Sequence, residues 1–150
     1  MGTTGMTFRG ELVHTVTELY RTNEFAAAAA AAVGLLVGPT CPEHDLLTAY
    51  WAVSKRKFGS DVDHNVLDNA SRSAEQNGDF LAYVMLRVEY HLVGRQSVAQ
   101  LGFLEAMKAG LSQRATKFKA TAEIAAKAER HLDTEIAELT IRLGITPTKN

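Results

Sequence analysis

Between Tyr83 and Ala106 the chain carries large and small apolar residues in the order that a closely packed pair of helices requires. Tyr83, Leu86 and Tyr90 recur at spacings of three and four, so they share one helical face. Beyond a turn signal at Gly94-Arg95, Ala99, Phe103 and Ala106 repeat that spacing on a second helix. The small Ala99 lets the two helices approach and Phe103 fills the gap they leave. A hairpin of this kind cannot bury its own apolar face, so it has to stack on neighbours.

The rest of the chain supplies those neighbours. Turn signals inside hairpins fall at Asn23-Glu24, Gly59-Ser60 and Gly94-Arg95, a step of about 35 residues that is close to the period of helical-hairpin repeats. Breaks between hairpins fall at Gly38-Pro39, Asn77-Gly78 and Gly110-Leu111. This spacing predicts antiparallel hairpins over 7–36, 42–76 and 79–109. In the first, Leu19, Tyr20 and Phe25 surround the turn, and an alanine run from Ala26 to Ala32 forms the second helix. The second hairpin sets Leu46, Leu47, Tyr50, Trp51 and Val53 against Val66, Leu67 and Ala70. Helix starts carry capping chemistry: Ser60-x2-Asp63 resembles a capping box, Asp79 can cap the following helix, and Ser97-x2-Gln100 is a full box. Pro42 suits a first helical turn.

From 112 to 143 the stripe Phe118, Ala122, Ala125, Ala128, Leu132, Ile136, Leu139 and Leu143 predicts one long amphipathic helix, followed by a frayed tail over 144–150. Such a helix can cover the last exposed face of a stack. It can equally form a seam with another chain, in which case Ala122, Ala125, Ala128 and Leu132 mark an assembly helix for a homo-oligomer. Strand signals are scarce, and the expectation is a single all-α domain over 1–150.

The pattern Tyr83-x2-Leu86-x3-Tyr90 with Ala99-x3-Phe103 resembles a tetratricopeptide-repeat unit over about 30 residues. Arg87 stands where that family usually has glycine, and a side chain of its length has to point outward or hold helices apart. The resemblance implies a short solenoid of about three stacked hairpins, capped by the long helix. It also implies that the first helix of each unit faces a concave groove in which a peptide or partner helix lies. Carried over by matching turns, that groove presents Val13, Tyr20 and Arg21 from the first unit. Ala49, Val53, Arg56 and Lys57 follow from the second, and Leu81, Val84, Val88 and His91 from the third. A largely apolar groove with Arg56 and Lys57 at one edge suits an amphipathic helix or extended peptide with acidic flanks. The implied function is a non-catalytic adaptor or chaperone for a protein partner. The alternative is a structural subunit that self-assembles through the C-terminal helix.

Composition bounds the remaining classes. With 46% apolar and 22% charged residues the chain is an ordinary globular sequence, and a net charge of −1 argues against nucleic-acid binding by electrostatics. The apolar run from Phe25 to Gly38 falls short of the roughly 20 residues that span a bilayer. No basic segment precedes an apolar core at the start, and the single Cys41 cannot form an internal disulfide, so a cytoplasmic setting is the default expectation.

No residue set carries a catalytic or cofactor signature. Cys41 with Glu43 and His44 sits at a Pro-flanked helix start, which explains those residues without nucleophilic chemistry. Asp61-x-Asp63-His64 reads as helix capping. Di-iron bundles need Glu-x2-His twice with further inward glutamates, and the motif occurs once, at Glu11 to His14. His131 and Glu135, one turn apart, read as an exposed intrahelical pair. Lys55-Arg56-Lys57 closes a helix, where cations complement the dipole. No metal site and no cofactor are expected.

Overall fold

The computed structural model describes residues 2–37, 43–94 and 96–145, with side chains from residue 11 onward. The described residues form eight helices and no strand: α1 Gly2–Arg21, α2 Phe25–Leu36, α3 His44–Lys57, α4 His64–Gln76, α5 Phe80–Leu92, α6 Val98–Ala109, α7 Leu111–Phe118 and α8 Ala122–Arg142. The all-α expectation holds. The chain divides into two compact units, Met1–Val62 and Asp63–Asn150. That boundary falls inside the hairpin expected over 42–76, so α3 and α4 belong to different units.

The three inner turns lie where the sequence places them, and each turns on a residue with positive φ: Asn23 at 66°, Gly59 at 105° and Gly94 at 84°. Left-handed backbone costs Gly nothing and Asn little, whereas other side chains resist it. Two of the expected caps form: Asp79 accepts from the Ala82 amide at 3.0 Å, and the Ser97 amide donates to Gln100 Oε1. The expected box with Ser60 as the cap does not, because α4 begins at His64 and Asp63 is itself the cap, accepting from the Asn65 amide at 2.8 Å. Pro42 and Cys41 lie outside the described residues.

In the Met1–Val62 unit, α2 packs on both α1 and α3, and α1 also reaches α3. The alanine run explains the arrangement. Ala28, Ala29 and Ala32 are buried, and their short side chains let α2 lie close between its neighbours. Val16, Ala32, Leu35 and Leu47 form the core, flanked by Leu12, Val13, Ala31, Leu36, Tyr50 and Trp51. Tyr20 closes one end, its ring 5.9 Å from Phe25 and 4.7 Å from Tyr50.

In the Asp63–Asn150 unit, α5 is the central element and packs on α4, α6 and α8. Its sequence demands that position, because a helix apolar nearly all round has to be covered on several sides. Phe80, Leu81, Ala82, Val84, Met85, Leu86, Val88 and Leu92 are all buried. α8 brings Ala128, Leu132 and Leu139 onto the same core. The long helix expected over 112–143 is instead two helices. Lys119 adopts φ 56°, ψ 37° and ends α7, and Thr121 caps α8 by accepting from the Ile124 amide at 3.2 Å. The break lets Phe118 turn back onto Phe80 and Tyr83, each ring 5.1 Å away.

Candidate functional site

Five of the eleven residues that the repeat resemblance assigns to a groove are buried core. Ala49, Val53, Val84 and Val88 are 0–1% exposed and Leu81 is buried, so none of them can meet a partner in an open groove. The reason is periodicity: the face facing a groove and the face facing a neighbouring helix carry the same three-and-four spacing. Val13 packs against the first unit's core, and Tyr20 is held between Phe25 and Tyr50. Arg21 is exposed and pairs with Glu18 at 2.7 Å. Arg56 is half-buried, and the Lys57 ammonium lies 5.5 Å from the centre of the Phe25 ring. The assembly stripe fares similarly. Ala122 is exposed and Ala125 half-buried, but Ala128 and Leu132 are fully buried within their own unit.

Of the groove residues, His91 lines an open cleft. α4 contributes Asp68, Ser71, Arg72 and Glu75, spaced by three and four along one face. α5 contributes Tyr83, Arg87 and His91 at intervals of one turn, while α6 and α7 supply Met107 and Arg114. This part of the cleft holds about 420 Å³. An adjoining hollow of about 430 Å³ runs past Phe103, Met107, Gln113 and Lys117, and another of about 330 Å³ past Glu75, Gly78 and Phe118. Arg114 borders all three.

The electrostatics of the cleft follow from how its charges are shared. Asp68 accepts from Arg72 Nε at 3.0 Å and from Arg87 Nη1 at 3.2 Å, so one carboxylate serves two guanidiniums. The Arg87 guanidinium also lies 4.3 Å from the centre of the Tyr90 ring, and its mostly buried side chain lines the cleft while tying α5 to Asp68 of α4. Arg114 Nη1 donates to the Tyr83 hydroxyl at 3.0 Å, a neutral acceptor that leaves its charge uncancelled. With Lys117, four cations face two carboxylates, Asp68 and Glu75. His91 stacks on Phe103 with centroids 5.1 Å apart. Burial, with the Arg87 and His64 charges nearby, holds its imidazole below the ordinary value of 6.5, so the ring is neutral at pH 7. Phe103 itself is 54% exposed.

Apart from Arg87 and His91, sequence reading missed this cleft. Arg72 and Arg114 lie on α4 and α7, whose apolar content is low, and only the fold brings them to one place. Family models, curated proteins and solved structures give no match to the chain, so the functional reading rests on the chemistry of the cleft itself. Among the described residues no helix is long and apolar enough to cross a membrane.

Proposed function

We propose that the Asp63–Asn150 unit is a non-catalytic protein-interaction module that takes an acidic peptide or amphipathic helix along the cleft bordered by Arg114. The observation that carries this reading is the excess of cations beside an exposed aromatic. Arg72, Arg87, Arg114 and Lys117 outnumber Asp68 and Glu75, and Phe103 stands at the rim with Met107 behind it. Guanidiniums recognise carboxylates through paired N–H donors, and arginine with aromatic anchors dominates the energy of protein interfaces. Three adjoining hollows that share one arginine suit an extended ligand better than a compact one. This keeps the peptide-binding role that the tetratricopeptide resemblance implies and moves it from the apolar face of α5 to the polar surface between α4, α5, α6 and α7.

The test is fluorescence anisotropy with a labelled amphipathic peptide carrying glutamates on one face and leucines on the other, against the same peptide with lysines for glutamates. The acidic peptide should bind and weaken with added salt, and Arg114→Ala should weaken it about tenfold, the equivalent of one charge-assisted contact of about 1.4 kcal/mol. Equal binding of both peptides, or acidic-peptide binding indifferent to Arg114→Ala and Phe103→Ser, refutes the reading.

A further inference from the structure

A second polar cluster lies inside the Asp63–Asn150 unit, built from residues the cleft does not use. Glu89 of α5 and Glu135 of α8 are 2% and 1% exposed, and His131 lies one turn before Glu135 on α8. One ligand atom from each residue can be chosen so that all lie within 4.8 Å of one another. Sequence reading expects His131 and Glu135 to be an exposed intrahelical pair. The fold buries Glu135 instead and leaves His131 only partly exposed, because the three-and-four spacing that sets Ala128, Leu132 and Leu139 into the core carries Glu135 inward with them.

The surroundings make the charge of this cluster decisive. Val88, Leu92, Leu132 and Leu139 adjoin these residues along the two helices and are buried, and taking an ion out of water into such a core costs several kcal/mol. Glu89, His131 and Glu135 each have an interaction of their own, and two carboxylates brought this close still favour a cation between them. A divalent cation cancels both while the imidazole stays neutral and offers a lone pair. His131 Nε2 and Glu135 Oε1 are buried atoms that make no hydrogen bond, and both residues have interactions besides. We infer that Glu89, His131 and Glu135 form a site for a first-row divalent transition metal. One nitrogen and two carboxylate oxygens are the donor set that zinc, manganese and ferrous iron share. Ligand atoms about 2.1 Å from a tetrahedral ion stand about 3.4 Å apart, so rotation of the carboxylates about their own side-chain torsions closes the cluster onto an ion. Holding α5 to α8 through the unit's centre is the structural consequence, and it is independent of what occupies the cleft.

The experiment uses the full chain, stripped with chelator and titrated with Zn²⁺, and separately with Co²⁺ as an optical reporter. The expected result is one ion bound per chain, Co²⁺ absorption of a mixed nitrogen and oxygen site, and a rise in melting temperature on adding metal. Glu135→Gln and Glu89→Gln preserve shape and should each abolish the one-to-one stoichiometry while retaining helical circular dichroism. His131→Gln should remove the nitrogen contribution to the Co²⁺ spectrum. Unchanged binding in both glutamine variants would put the metal elsewhere and overturn the assignment. No binding by the wild-type chain, with Glu135→Gln melting higher than wild type, overturns it in favour of a metal-free buried ion network.

Discussion

Replacing Leu132 by alanine separates a core role for α8 from an assembly role. Leu132 is fully buried within its unit, on the face of α8 that carries Ala128 and Leu139 onto the core around α5. The substitution removes three carbon groups, worth about 0.8 kcal/mol each in transfer from water, or roughly 2.4 kcal/mol. Incomplete collapse of the space left behind adds to this, and buried leucine-to-alanine changes cost about 2–5 kcal/mol in total. We therefore expect a loss of about 3–4 kcal/mol. For a chain of 150 residues each kcal/mol lowers the melting point by about 2–4 °C, so the transition should fall by about 6–16 °C. Urea denaturation followed by circular dichroism at two protein concentrations tenfold apart is the assay. A core residue loses the same stability at both concentrations. Stability unchanged in the variant, together with a drop in molar mass by light scattering, would refute the core argument and restore Leu132 to an intermolecular seam.

Three further outcomes follow from single contacts. Lys119→Gly should stabilise the chain by about 1 kcal/mol, because φ of 56° strains a side chain and glycine adopts it freely; a destabilised variant in urea titration would mean that the Lys119 side chain outweighs its backbone strain. Asp79→Ala should cost about 1 kcal/mol by leaving the Ala82 amide without its acceptor, whereas Asp79→Ser should recover most of it, measured by the same titration. Phe103→Ser should leave the melting temperature within about 2 °C, since the ring is more than half exposed, yet weaken the acidic peptide in the anisotropy assay; a large loss of stability would show that its stacking on His91 is structural.

Local chemistry was legible in this chain, and the partnering of helices was not. Turns at Asn23, Gly59 and Gly94 and caps at Asp79 and Ser97 depend on a few adjacent residues whose backbone preferences act at short range, so they can be read directly. The break at Lys119 escaped because lysine is no helix breaker; the signal was Thr121 with Glu123 two residues later, a capping residue and an acid in a first turn. Which face of a helix meets which neighbour is a different kind of information. Val53, Val84 and Val88 carry the spacing of a groove and equally that of a core, and nothing within α3 or α5 distinguishes them.

The same ambiguity hid both candidate sites, in opposite directions. Arg87 could be expected to point outward because its length has no place between packed helices, but its meeting with Asp68, 19 residues earlier, depends on how α4 lies against α5. Glu135 looked exposed because it stands one turn after His131 as an intrahelical pair, and only its register with Leu132 and Leu139 argued otherwise. A polar residue that keeps the core's spacing is therefore the more telling signal. An apolar residue in register needs no reason beyond packing, whereas a buried carboxylate in register has to be compensated, and here Glu89 and His131 offer ligand atoms within 4.8 Å of those of Glu135. Glu89, His131 and Glu135 are thus where this fold departs from what apolar packing alone would select.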